Sequence, residues 1–184
     1  VRERVLAEVI RPTLAGLKKD DVAFTGFLYA GLMIAPGGAV KVLEFNCRLG
    51  DPETQPLMMR LRSDLLDILD AAVDGTLATV QASWDERPAL GVVMAAHGYP
   101  ATVRKGDVIQ GLGRDFGADA KVFHAGAALD ATSQKVVTAG GRVLCACALG
   151  KTLREAQTRA YSVADKINWN GLHYRRDIGW RALK

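Results

Sequence analysis

Apolar positions over residues 1–19 recur at helical spacing: Val1, Val5 and Val9 stand one turn apart, flanked by Leu6, Ile10, Leu14 and Leu17. Pro12 interrupts the pattern, so the helix is expected to kink or divide there, because proline offers no N–H and crowds the carbonyl four residues back. AFTGFLYAGLMI (23–34) reads as a strand, APGG (35–38) as a turn and AVKVLEFN (39–46) as the returning strand of a β-hairpin. Asp51-Pro52 predicts a helix start, with Asp51 as N-cap and Pro52 at the first helical position, and with Leu57, Met58 and Leu61 as the buried stripe. Ser63-Asp64 predicts a second start that turns Leu65, Leu66, Ile68, Leu69, Ala72 and Val73 inward and stops at Gly75.

At WDERP (84–88) a polar stretch gives way to charge and proline, which places a domain boundary there and divides the chain into 1–85 and 86–184. Beyond it, short β-like runs (LGVVMAA, DVIQG, KVFHAG, KVVTAG and GRVLCACALG) alternate with Gly, Pro and Asp turns. Gly140-Gly141 reads as a tight hairpin between VVTA and RVLCA. One helix follows, opened by the capping box Thr152-x-x-Glu155 and lined on one side by Ala156, Ala160, Val163, Ala164 and Ile167. The fold class is therefore α+β: a hairpin with helices, then a small, mainly antiparallel sheet with one packed helix.

Composition narrows the field. At 184 residues, 49% apolar and 24% charged, the chain lies in the globular range. No apolar run approaches the ~20 residues that span a bilayer, and VRERVLAEVI lacks the uninterrupted core of a signal peptide. These features predict a soluble cytoplasmic protein without a membrane partner. The net charge of +4, from 24 basic and 20 acidic residues, is too diffuse to argue for nucleic acid. Cys47 stands apart, and Cys145 and Cys147 form C-x-C inside an apolar run, so all three read as thiols in a reducing compartment.

The chemistry gathers in VLEFNCRLGDPETQ (42–55). Alternation along a strand puts Glu44 and Asn46 on one face and Leu43 and Phe45 on the other, with Glu44 and Asn46 about 6.6 to 7 Å apart at their Cα atoms. Two hard oxygen donors so spaced suit Mg²⁺, which takes few protein ligands; the plainer alternative is that strand ends favour polar residues. Arg48 adds a planar anion clamp, Gly50 an adaptable backbone, and Asp51 a cap or a catalytic acid. His97, His124 and His173 are widely separated and read as structural, and Trp84, Trp169 and Trp180 as packing residues. Arg175, Arg176 and Asp177 read either as a surface pair or as substrate contacts. GLGRDFG (111–117) has its third glycine one residue too late for a dinucleotide fingerprint, and there is no P-loop.

FTGFLYAGLMI followed by KVLEFNCRLGDPETQPLMMRLRSDL resembles the last part of the ATP-grasp region of phosphoribosylamine-glycine ligase, also called glycinamide ribonucleotide synthetase. The likeness continues through LGVVMAAHGYP, KVFHAG, VVTAGGRVLCACALG and RRDIGWRAL, which are similar to that family's C-terminal domain. It implies an ATP-dependent ligase of purine biosynthesis joining glycine to 5-phosphoribosylamine through an acyl phosphate. It also implies that Glu44 and Asn46 are Mg²⁺ or Mn²⁺ ligands. On that basis Arg48 is expected to clamp an acyl or phosphate oxygen, and Asp51 and Glu53 to shape the glycine or amine pocket. Family members are longer, with the adenine pocket and phosphate-binding lysine upstream. The chain, which begins at Val1, is thus expected to be a C-terminal piece, inactive without the N-terminal part of the same enzyme. The rival expectations are another ATP-grasp carboxylate-amine ligase or carboxylase, and a non-catalytic interaction module.

Overall fold

Pro12 is absorbed by a widened helical turn. In the computed structural model, which describes all residues Val1–Lys184, α1 (Arg2–Val5) and α2 (Arg11–Lys19) are joined by a π-helical turn, Leu6–Ile10, with helical backbone angles at both junctions. A π turn shifts the hydrogen-bonding register by one residue, which suits a position that has no N–H to donate. The Thr13 hydroxyl then donates to the Val9 carbonyl at 2.7 Å. The expected interruption therefore appears as a change of helix type.

The chain falls into two units, Val1–Gly50 with Ser63–Ala82, and Asp51–Arg62 with Ser83–Lys184. In the first, β1 (Tyr29–Ile34) and β2 (Val40–Asn46) form an antiparallel two-stranded sheet with a bulge between Gly31 and Leu32. The first strand starts six residues later than the pattern suggested. Tyr29 pairs with Asn46, where β2 ends, so residues 23–28 have no partner in this ladder.

In the second unit, α3 (Thr54–Arg60) precedes β3 (Ala89–Ala95), and in the first unit α4 (Leu65–Val73) follows. Asp64 caps α4 as expected, accepting from the Leu66 N–H at 2.8 Å, and Gly75 takes a positive φ just past its end. The inward stripe is narrower than predicted. Ala71 is buried, whereas Leu66, Leu69 and Val73 are exposed, Val73 at 83%.

The second unit continues with β4 (Ala120–His124), β5 (Ala127–Leu129), β6 (Val136–Thr138), β7 (Arg142–Leu149) and α5 (Leu153–Ala164). β3, β7 and β4 form an antiparallel sheet in that order, and β5 pairs with β6. β7 is buried from Val143 to Leu149 because α5 packs against one side of the sheet and α3 against β7 and β3. Leu90, Val92, Met94, Leu144, Ala146 and Ala148 join Ala156, Ala160, Val163 and Ala164 in the core. The alanines on α5 let that helix approach the sheet closely, as the capping-box reading anticipated.

Two sequence expectations fail here. DVIQG is no strand, since Val108 and Gln110 make only isolated bridges, to Val137 and Asn168. Gly140-Gly141 is no hairpin, because β6 pairs with β5 and not with β7. The two glycines instead serve close packing: Gly140 N–H donates to the Gly126 carbonyl at 2.9 Å, and a Cβ on Gly141 would lie 2.6 Å from the Tyr99 ring.

Candidate active site

β2 carries the first group. Glu44 and Asn46 are two residues apart on one face of the strand, and Asn46 Nδ2 donates to Glu44 Oε1 at 3.2 Å. Gly31 lies opposite Glu44 in the ladder, and a Cβ there would come within 3.0 Å of Glu44 Cγ. A glycine inside a strand often marks such a close approach, so Gly31 leaves the room that the carboxylate occupies. No group of three or more His, Cys, Asp or Glu side chains is placed to hold a metal ion. A carboxylate and an amide oxygen on an accessible strand end still fit Mg²⁺, which needs only one or two protein oxygens. Arg48 is exposed, and its Nη1 donates to the Leu49 carbonyl at 3.0 Å.

Asp51 and Glu53 belong to the second unit. Asp51 does not cap a helix, contrary to the sequence reading. Residues 51–53 form a turn and α3 begins at Thr54, with Glu53 at its N-cap and no side-chain cap. Pro56, within the first turn of α3, is the helix-entry proline, because the first N–H groups of a helix have no internal acceptor. Asp51 is tied elsewhere: Arg142 Nη1 donates to its carbonyl at 2.9 Å, Arg142 Nε stands 3.3 Å from its Oδ2, and Gln55 Nε2 donates to Oδ1 at 3.3 Å. Gln55 Oε1 is buried without a partner.

Arg142 also lines a cleft of about 290 Å³ in the second unit. Its floor is Gly91, Val93 and Ala95, the side of β3 turned away from the α5 core, and its walls include Pro52, Tyr99, His173, Arg175 and Ile178. The thiols of Cys145 and Cys147 lie 3.5 Å apart and buried beside this floor, on the same face of the sheet, where a Cβ on Gly91 would meet both. The neighbouring thiol and burial push the Cys147 thiol far up, out of the reactive range.

The segment read as a boundary hides a buried ionic hub. Asp85, only 6% exposed, accepts from the Arg87 side chain and backbone N–H and from Arg62, and its neighbours hold its carboxyl well below the usual range. Arg87 reaches on to Asp119 at 2.9 Å, and Arg159 joins Asp119 to Glu155 and the Leu149 carbonyl. Local sequence signals could not find this network, since its outermost members, Arg62 and Arg159, stand 97 positions apart in the chain.

Comparison with known proteins agrees with the signature run. Residues 89–181 match the family model "Phosphoribosylglycinamide synthetase, C domain", and residues 1–54 match "Phosphoribosylglycinamide synthetase, ATP-grasp (A) domain". The phosphoribosylamine–glycine ligases of Vibrio cholerae and Pseudomonas aeruginosa are each 56% identical to the chain over 183 residues, covering 100% of it and 42% of their own length. The crystal structure of phosphoribosylamine–glycine ligase from Thermotoga maritima superposes with a TM-score of 0.77 at 36% identity, over 96% of this chain and 42% of that one. The chain thus spans less than half the length of these relatives. From the strand that carries Glu44 and Asn46 to the sheet that follows it, the chain belongs to the phosphoribosylglycinamide synthetase family.

Proposed function

We propose that this chain is the C-terminal part of an ATP-dependent ligase that joins glycine to 5-phosphoribosylamine, giving glycinamide ribonucleotide, ADP and phosphate in the cytoplasm. Residues 1–85 complete the ATP-grasp domain and 86–184 form the C-terminal domain. The observation that carries this reading is the pairing of Glu44 with Asn46 on one strand face, at 3.2 Å, immediately ahead of the Arg48–Gln55 signature run. It is supported by relatives named phosphoribosylamine–glycine ligase that match the chain along its whole length.

In this reading Glu44 and Asn46 hold Mg²⁺ or Mn²⁺. The cation supplies charge neutralisation for ATP phosphates as the γ-phosphoryl group moves to glycine's carboxylate. Arg48, with five N–H donors on a planar fork, orients an acyl or phosphate oxygen, and its guanidinium suits developing negative charge. Asp51, fixed by Arg142 and Gln55, and Glu53 border the glycine or amine site. An accessible carboxylate there favours the amine as its partner.

Glu44→Gln in the full-length enzyme tests the reading. It keeps the size of the side chain and removes its charge, so Mg²⁺-dependent formation of glycinamide ribonucleotide is expected to fall by about two orders of magnitude or more. Unchanged turnover refutes the metal assignment. Assaying the full-length enzyme with glycine against bicarbonate separates this ligase from an ATP-grasp carboxylase. Titration of Mg-ATP into the 184-residue chain is expected to give no measurable heat, and micromolar binding would contradict its being an incomplete nucleotide site.

A further inference from the structure

Two thiols on one strand have no part in the proposed ligation. Cys145 and Cys147 stand two residues apart on β7, so their side chains leave the same face of the sheet. Their sulfurs are 3.5 Å apart, and the residues are 1% and 0% exposed. They pair with Val93 and Gly91 on β3 and with Phe123 and Lys121 on β4, so the backbone that carries them is held from both sides. Gly91 leaves a gap over them. A Cβ on Gly91 would stand 2.9 Å from the Cys145 sulfur and 3.0 Å from the Cys147 sulfur, with Pro56 Cγ of α3 at 3.3 Å. Gly91 also lines the cleft, and having no side chain it puts none between the cleft and the pair.

That geometry discriminates among the partners a thiol pair can take. A disulfide needs sulfurs about 2 Å apart and Cα atoms no more than about 6.8 Å apart. Two residues of strand already span about 6.6 Å, and ladders on both sides keep the backbone from closing. Zinc takes four ligands, and no group of three or more His, Cys, Asp or Glu side chains is placed to hold a metal ion. Monovalent copper on two thiolates would leave a net negative charge in a buried place, which is costly. Trivalent arsenic fits, because it bonds two neighbouring sulfurs at a pyramidal angle and its product with two thiols is uncharged. Burial and the neighbouring sulfur hold the Cys147 thiol protonated, which obstructs chemistry that needs a lasting thiolate. Condensation with an arsenical needs none, since both thiol protons leave with oxygen as water.

We propose that Cys145 and Cys147 form a dithiol site for a trivalent arsenical, entered from the cleft beside Gly91 and roofed by Pro56. With phenylarsine oxide, the two S–H bonds and the arsenic–oxygen bond break, two S–As bonds form, one water leaves, and arsenic stays trivalent. The site goes beyond the ligase reading and does not depend on it. Two sulfurs on one strand should hold arsenic about 10² to 10⁴ times more tightly than a single thiol does, the gain from a second tethered contact.

Phenylarsine oxide added to the native 184-residue chain tests this. Cys47 is exposed and stands apart from the pair, so its adduct is expected to be stripped by excess glutathione. The adduct of the pair is expected to survive glutathione and to be removed by dithiothreitol. After the glutathione wash, tryptic mapping should find phenylarsenic on residues 143–151 and none on residues 42–48. Cys147→Ser should lose the resistant adduct, and Cys47→Ser should keep it in full. If Cys147→Ser does not fold, amide shifts in the labelled, unsubstituted chain decide: they are expected at Gly91, Cys145 and Cys147, and at Gln55 and Leu57 on either side of Pro56. A resistant adduct on residues 42–48, one that persists in folded Cys147→Ser, the absence of any resistant adduct from the native chain, or amide shifts that miss these positions overturns the proposal.

Discussion

Asp85 shows how much a single side chain can fasten. It draws Arg62 and Arg87 onto one carboxylate, and Arg87 and Arg159 extend the tie to Asp119. Arg87 is the main cause that lowers the carboxyl of Asp85, and likewise that of Asp119. An unfolded Asp titrates near 4, so the stability these groups contribute is complete above about pH 4 and is lost as pH falls through their lower folded values. Asp85→Asn should therefore lower Tm at pH 7, and the gap from the unsubstituted protein should narrow below about pH 3; thermal melts across this range check it, and a gap independent of pH would contradict it. At Gly31 any side chain meets Glu44 Cγ, so Gly31→Val in the full-length enzyme should reduce Mg²⁺-dependent activity while the melting transition of the β3–β7–β4 sheet stays put. That Glu44 and Asn46 share a strand face was legible in the sequence, because alternation along a strand is a local rule. Arg142 was not, for its acceptor Asp51 lies 91 residues away.

Among the elements, α5 behaves most nearly as its pattern dictates. Thr152 Oγ1 accepts from Glu155 N–H at 3.2 Å, and Glu155 Oε2 reaches back to Lys151 N–H at 2.8 Å. Thr152→Ala is expected to cost about 1 kcal/mol in chemical denaturation. The C-terminal end of α5 is latched by Tyr174, whose hydroxyl donates to Asp165 and whose ring lies under Arg176. Burial, and then Asp165, push the phenol up to about 12. A raised acid group of this kind stabilises below its unfolded value, near 10, and the contribution disappears as pH rises to about 12. Alkaline unfolding of Tyr174→Phe, followed by circular dichroism, should therefore be flatter between about pH 10 and 12. The misreadings share a cause. Asp51-Pro52, DVIQG and Gly140-Gly141 are short signals whose local preference is outweighed by distant partners: Arg142 for the turn, Val137 and Asn168 for the bridges, Gly126 and Tyr99 for the glycines.

For the molecule as a whole, the two units differ in how much they bury. The second holds nearly all of the fully buried side chains, including Met94, Val92, Leu144 and Cys147, whereas β2 of the first exposes Val42, Leu43 and Phe45. A two-stranded sheet alone is marginal in water, so hydrogen exchange should be slowest at amides of β7 and β3 and markedly faster in β1 and β2; equal protection would contradict this. Met94→Ala should cost about 2 to 5 kcal/mol in denaturant titration, the range for emptying a fully buried site. The α+β class was readable because each unit's patterns are local. The assignment of residues 51–62 to the second unit was not, since it depends on α3 packing against β3 and β7. That detour governs how the protein can be taken apart. One cut anywhere between residues 50 and 83 yields no pair of whole halves. Separate polypeptides require splicing Gly50 onto Ser63 in one, and supplying α3 to the other through a new join to Ser83.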